Sequence, residues 1–295
     1  MHRWDLDIFR HWPEPENAPV ERWPKALPGA FIHGARVMDN GDLIFNYEYF
    51  GMMRVDACSE PVWKLPEFMT HHSVAANSEG DMWVSALKIH DKTPESLPKH
   101  EPPVWEEYVL KVSAQGEILK AVSLPRLLLE NGYRGLLYVS AIERFPNVGK
   151  DSMHLNDVEE FPATMEPGVF GPGDVVVSLR NMHTVFVFNA QSRKIKYIGT
   201  GQVYRQHDPD FYDGNRLSIF DNNSVWNDGS RNDCRIVLLS GLDNSVEVVF
   251  PTEGEAFFTL AQGKHQWLDN GHLLITESQG GRAIEVGEEG RVIWE

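Results

Sequence analysis

Five of the twelve histidines, His33, His72, His154, His207 and His265, stand at the head of successive segments that each turn through Gly-, Asn- or Asp-rich residues. Side chains that recur at one place in a repeat gather at one place in the fold. Two chemistries are open to imidazoles brought together in this way. Neutral imidazole is the commonest metal ligand, and Asp221 or Glu277 could complete a coordination sphere. Alternatively, several N–H donors with one guanidinium, Arg180, make a pocket for a tetrahedral oxyanion such as a sulfuryl or phosphoryl group. An imidazole there can also attack the electrophilic centre and carry it as a covalent adduct. Arg180 would repel a cation, so the residue types favour the anion. The plainer reading is that each histidine fits a crowded rim or caps the loop before it.

Positioning these groups is the task of short strands. The first unit runs from His33 through Asp39-Asn40-Gly41, Asp42–Asn46 and Met53–Ala57 to Pro61-Val62-Trp63. Four more units begin at His72, His154, His207 and His265, with turns at Glu79-Gly80, Gly173-Asp174, Asp213-Gly214 and Asn270-Gly271. β-Branched and aromatic runs between such turns are hairpin signals, and helical periodicity is nearly absent. Four-stranded antiparallel units repeated in series predict an all-β protein, a β-propeller, whose packing protects the strand edges of each blade. Five repeats are recognisable, and a sixth would have to lie in residues 1–32 or 125–150. The spacing predicts an N-terminal extension over 1–30, with Trp4–Phe9 as a strand closing the ring against Val292-Ile293-Trp294, and one propeller domain over 31–295. Insertions fall near 88–107, read as a solvated loop, and 125–150, read as a short helix or a cover carrying Tyr133 and Tyr138. In each blade the second strand returns antiparallel to the first, so Arg180, Asn181, Asp221, Asn222 and Glu277 should approach the histidines.

The 295 residues supply 27 Lys+Arg against 43 Asp+Glu, a net charge of −16 with histidine neutral. Such a field repels phosphate backbones and anionic lipid, so nucleic acid is not an expected partner. Cys58 and Cys234 are far apart and suggest neither a disulfide framework nor a cysteine zinc site. No run of about 18 apolar residues is present, nor an apolar stretch near Met1 suited to a secretory signal. Gly199-Thr200-Gly201 is too short for a nucleotide loop and follows a strand unit with no helix behind it.

The runs His72 with Gly80-Asp81, His154-Leu155-Asn156-Asp157-Val158, Ser178-Leu179-Arg180-Asn181, Gln206-His207-Asp208, Ile219–Asn222 and Leu274–Glu277 resemble the bacterial arylsulfotransferases, from about residue 30 to the end. The Ser-x-Arg run and Gln-His-Asp are the most specific parts. The resemblance implies a six-bladed propeller that moves a sulfuryl group from an aryl sulfate to a phenolic acceptor through a sulfated histidine, with no nucleotide, cofactor or metal. It makes His207 the nucleophile. It gives Arg180 and His154 the sulfuryl oxygens, with His72 completing the pocket and one histidine serving as general acid and then base. His72 is preferred to His71 because a strand's period of two turns one inward and the other outward. Asn181, Asn222, His33, His265 and Tyr204 would bind substrate, with Trp83, Tyr204, Phe211 or Trp226 as a wall for the aryl ring. Asp208 is not assigned as a partner of the His207 imidazole. The resemblance also implies a periplasmic or membrane-tethered setting, with any tether outside this chain. A metal-dependent hydrolase or lactonase, and a non-catalytic binding or interaction propeller, are the alternative readings.

Overall fold

The computed structural model describes residues 2–12, 20, 23–26, 30–77, 79–139, 151–224, 234–252 and 255–295. Strands fill it in sets of four. The first set is β1 (Ile32–Val37), β2 (Leu43–Tyr47), β3 (Gly51–Val55) and β4 (Pro61–Leu65), and the second β5 (Met69–Ala76), β6 (Met82–His90), β7 (Val104–Val112) and β8 (Ile118–Ser123). A third set comprises β9 (Leu155–Glu160), β10 (Asp174–Leu179), β11 (Thr184–Asn189) and β12 (Ile195–Thr200). The fourth is β13 (His207–Phe211), β14 (Arg216–Asp221), β15 (Arg235–Ser240) and β16 (Val246–Phe250), and the fifth β17 (Lys264–Trp267), β18 (Leu273–Glu277), β19 (Arg282–Val286) and β20 (Val292–Trp294). Every set is an antiparallel sheet in chain order, the up-and-down blade of a β-propeller. The described residues thus contain five blades, where the resemblance implied six.

Two compact units divide the chain, Met1–Val158 and Glu159–Glu295, with the boundary inside β9. In the second unit the middle strands carry continuous apolar runs, as Asp174–Leu179 and Thr184–Asn189 do, because both their faces are covered. Val176, Val185 and Val187 of blade three pack with Leu217, Ile219, Val237 and Leu239 of blade four. Phe220, Ile236 and Phe250 pack in turn with Ile275, Ile284 and Val286 of blade five. Burial at this level contributes about 1.5–3 kcal/mol for each large side chain. In the first unit, Ile44, Met52 and Leu65 meet Val84, Ala86, Leu110 and Val112. No helix among the described residues is long and apolar enough to cross a membrane.

Three expectations change. Trp4–Phe9 is not a strand: Ile8–His11 is a single helical turn, α1, capped by the Asp7 side chain, and its Ile8 and the following Trp12 pack on Leu43, Phe45 and Met53 of blade one. Blade five is complete from its own four strands, β20 pairing with β19. The solvated loop is shorter than residues 88–107, because β6 and β7 continue to pair out to His90 opposite Val104 and only the connection 91–103, mostly exposed, is loop. Leu97 and His100 in the connection between them are buried. The expected helix is present as α2 (Leu124–Glu130), N-capped by Ser123, followed by a 3-10 turn at Arg134–Tyr138. Tyr138 donates to the carbonyl of Pro98 at 2.6 Å, tying this cover to the β6–β7 connection. Residues 140–150 of that insertion lie outside the described residues.

Three of the inner strands, β1, β5 and β13, share one irregularity. Pairing slips between Ile32 and Ala35, between His71 and Val74, and between His207 and Pro209. At two of these bulges the backbone is left-handed, with φ of 57° at His72 and 52° at Asp208, and His154 just before β9 has φ of 53°. Such a conformation costs about 1–3 kcal/mol in a residue with a Cβ, so the surroundings must hold it. The His72 carbonyl accepts from Asn46 Nδ2 at 3.0 Å, and Gly34 lies so close that a Cβ there would stand 2.1 Å from that oxygen. Gly34→Ala should therefore lower unfolding stability by about 1–3 kcal/mol through overpacking against backbone. Gly135→Ala, whose Cβ would meet nothing within 4 Å, serves as the control. Equal urea midpoints for the two variants would refute the close approach.

Candidate functional site

In the first unit the bulge at His72 sets two consecutive imidazoles on the same side. His71 and His72 are both buried, and their Nδ1 atoms are 2.7 Å apart. The alternation that would have sent His71 outward fails because the left-handed residue adds a half-step to the strand. Rings of His33 and His154 flank His72, with centroids 3.9 and 5.1 Å away. Nδ1 of His154 pairs with Asp151 Oδ2 at 2.6 Å, while its Nε2 is buried and hydrogen-bonds nothing among the described residues. Nε2 of His71 faces Glu107 Oε2 at 3.3 Å. Burial and then the Asp151 charge push the Glu107 carboxyl up to about 8, against the pull of His154 and the Leu155 N–H. Its neighbour Glu106, on the opposite face of β7, behaves otherwise. Burial raises it, but hydrogen bonds from Ser123, Ser96, Tyr108 and His90 outweigh this and keep it below the usual range.

In the second unit His207 is held at both ring nitrogens. Nδ1 lies 2.6 Å from Asn222 Oδ1, and Nε2 accepts the Gln262 N–H at 3.2 Å. The Asn222 amide is fixed because its Nδ2 donates to the carbonyls of Thr259 and Gln262 at 3.1 and 2.7 Å. Its Oδ1 can therefore only accept, so Nδ1 of His207 carries the hydrogen and Nε2 the lone pair. Gln206, fully buried, donates to Ser178 Oγ and to the Thr184 carbonyl, both at 3.0 Å, and so fastens β13 to blade three.

Asp208 turns away from the His207 imidazole. It pairs with Lys264 Nζ, accepts the His265 N–H at 2.6 Å and lies 3.0 Å from His265 Nδ1. Burial works against its charge, yet Lys264 and His265 hold it well below the usual carboxylate range. Asp210 moves the other way, raised by burial and by the charges of Asp208 and Glu159. Nε2 of His265 is 2.6 Å from Ser218 Oγ, which also accepts from Trp267 Nε1 at 2.9 Å. Asp208, His265 and Ser218 thus follow the order of a hydrolytic triad, but Ser218 is fully buried and serves as a packed polar link. Among the described residues, Asp208, Asp210 and His265 are also the group with metal-ligand spacing. The Lys264 ammonium already occupies the cation position on Asp208, which argues against a divalent ion there.

His33, His72 and His154 come together in one unit, and His207 with Asn222 in the other. Arg180 begins a 3-10 turn after β10, with Nε 3.2 Å from Asn181 Oδ1. Tyr204 stacks on His183 at 4.4 Å and gives its N–H to Asp221. Asp221 is taken up by Arg235, and Glu277 by Arg282 and the Phe258 N–H. His265 belongs to the Asp208 network. Trp83 and Phe211 are buried, Phe211 within the core between blades three and four, and Trp226 lies outside the described residues. The sequence reading missed His71, Glu107, Asp151 and Lys264. His71 was recoverable, since His71-His72 and His207-Asp208 occupy the same two places in their blades.

Asp208→Asn should destabilise the protein at neutral pH by leaving Lys264 and His265 without their counter-charge. A carboxyl with a lowered folded pKa stabilises above its unfolded value of about 3.9 and loses this as pH falls further. The deficit of the variant should accordingly shrink below about pH 4. Urea unfolding of both proteins from acid to neutral pH checks this, and a deficit constant with pH would sink it.

The sequence profile described as arylsulfotransferase (ASST) matches residues 34–295. No curated protein matches the sequence. Among solved structures, the chain is similar to a protein of unknown function from Bacteroides caccae, at 15% identity, covering 90% of this chain and 81% of that one, with a TM-score of 0.58. It is also similar to a chain of a nidogen/laminin complex at 8% identity, covering 91% and 80%, with a TM-score of 0.51. A catalytically inactive virginiamycin B lyase from Staphylococcus aureus with quinupristin is 12% identical, covering 93% and 71%, with a TM-score of 0.50. At these identities the likeness concerns the fold alone. The profile match reaches all five blades, beginning inside β1, and takes in every histidine discussed above except His33, and the chain belongs to the arylsulfotransferase (ASST) family.

Proposed function

We propose that this chain transfers a sulfuryl group from an aryl sulfate to a phenolic acceptor, without nucleotide or metal, through a sulfated His207. The observation that carries the reading is the fixed Asn222 amide, which obliges His207 to keep its hydrogen on Nδ1 and its lone pair on Nε2. That lone pair is the nucleophile. It attacks sulfur as the Gln262 N–H gives way, an N–S bond forms, and the bond from sulfur to the aryl oxygen breaks. The acceptor oxygen then attacks sulfur and the N–S bond breaks in turn. Charge that develops as the aryl oxide leaves requires donors, and the reading assigns the sulfuryl oxygens to Arg180 and His154. His72 is assigned proton transfer, first toward the departing oxygen and then from the incoming phenol. Asn181, His33 and Tyr204 stand as the proposed substrate contacts, whereas Asn222 acts through His207, and His265, with both ring nitrogens engaged by Asp208 and Ser218, braces the strand beside it.

Purified protein should move sulfate from a chromogenic aryl sulfate to phenol with no nucleotide added. His207→Ala should abolish this, and Asn222→Ala should slow it on the order of 100-fold through loss of the tautomer. Donor alone should add one sulfuryl mass to the peptide that contains His207. Transfer that persists in His207→Ala, or a sulfuryl mass on another histidine, would overturn the assignment.

A further inference from the structure

Glu107 and His71 have no part in the chemistry above, yet both are buried beside a histidine that does. We propose that Glu107, His71 and His72 form a proton relay, in which Glu107 decides whether Nε2 of His72 is an N–H acid or a lone-pair base. This rests on the reading of His72 as the proton-transfer group. The geometry is a line of atoms: Glu107 Oε2, His71 Nε2 at 3.3 Å, a buried contact that becomes a hydrogen bond when the carboxyl turns toward the ring, His71 Nδ1, then His72 Nδ1 in hydrogen-bond contact at 2.7 Å. Oε1 of Glu107 is oriented by the Leu155 N–H at 3.4 Å, which leaves Oε2 toward His71. Two Nδ1 atoms in hydrogen-bond contact hold one hydrogen between them, so the tautomer of one ring fixes that of the other.

With Glu107 protonated, its O–H donates to Nε2 of His71, Nδ1–H of His71 donates to Nδ1 of His72, and Nε2 of His72 carries hydrogen. Giving that hydrogen to a departing aryl oxide forms an O–H bond and breaks the N–H bond. One proton then passes from Nδ1 of His71 to Nδ1 of His72, and one from Glu107 to Nε2 of His71. The trio goes from neutral to a single negative charge, which rests on Glu107, and no imidazolium forms. The reverse sequence accepts the proton of the incoming phenol. A neutral acid of this kind leaves the cationic role to the arginine.

The surroundings suit a carboxyl that rests protonated, since burial and Asp151 push Glu107 up to about 8. From the segment before β9 the groups facing it are Asp151, His154 and the Leu155 N–H, and from β5 it is His71, whose ring lies 5.1 Å from that of Tyr49 at a tilt of 32°. On the other face of β7, Glu106 is engaged by Ser96, Ser123, His90 and Tyr108, with Arg126 of α2 toward Tyr108.

The test is nitrogen NMR of the full chain labelled at histidine, followed from about pH 5.5 to pH 9. In the wild type, His72 Nε2 should change from hydrogen-bearing to lone-pair in one step near pH 8, and His71 Nδ1 should change with it. Glu107→Gln preserves volume but cannot release a proton, so the step should vanish. His71→Gln should also abolish it, with Glu107 still present. Persistence of the step in either folded variant overturns the relay. If neither variant folds, the wild type decides: a doubly protonated His72 that titrates independently of His71 overturns it. His207→Ala should keep the step while losing sulfuryl transfer, so the relay and the transfer reaction fail separately.

Discussion

A left-handed residue just before or inside the inner strand, at His72, His154 and Asp208, is the constraint on which the site depends. A regular strand would offer one side chain in two to the interior. The extra half-step at a bulge offers two in succession, which is how His71 and His72 are both buried and how His207 and Asp208 are both spent inside. Each such residue is strained, and each is held by specific contacts. Asn46 grips the His72 carbonyl beside Gly34, Asp151 grips the His154 ring, and Lys264 with His265 grips Asp208. The strain at these three residues therefore sits where polar groups must be aimed.

Charge is handled by the same local means. Glu106 and Glu107 are neighbours on one strand, yet hydrogen bonds hold the first below the usual carboxylate range while burial and the Asp151 charge push the second up to about 8. Asp208 and Asp210 divide likewise, one beside an ammonium and the other beside carboxylates. A chain with a net charge of −16 can thus keep an interior of N–H donors, because in a water-poor setting the nearest few groups outweigh the distant surface.

The blade repeat was legible because turn residues and β-branched runs report directly on hairpins, and all five sets of strands lie where those signals put them. The contact of His207 with Asn222 was legible too, since antiparallel pairing returns the end of β14 to the start of β13. What escaped was whatever depends on backbone handedness or on distant contacts. His71 was sent outward by a period of two that the bulge breaks. Glu107 was hidden in a stretch whose Pro, Lys and Glu content reads as solvated, although β7 runs through its end. Asp221 and Glu277 were expected near the histidines, but Arg235 and Arg282 on the adjacent strands claim them, a competition that no spacing rule records.

Gln206, His207 and Asp208 are consecutive, but they answer to three different masters. Gln206 clamps one blade to the next, Asp208 braces the strand of a third, and the residue between them alone has a ring nitrogen to offer. Two-thirds of the tripeptide that looks most diagnostic is carpentry. Descendants of this fold could exchange the middle residue and keep the other two, remaining recognisable kin without its ring nitrogen.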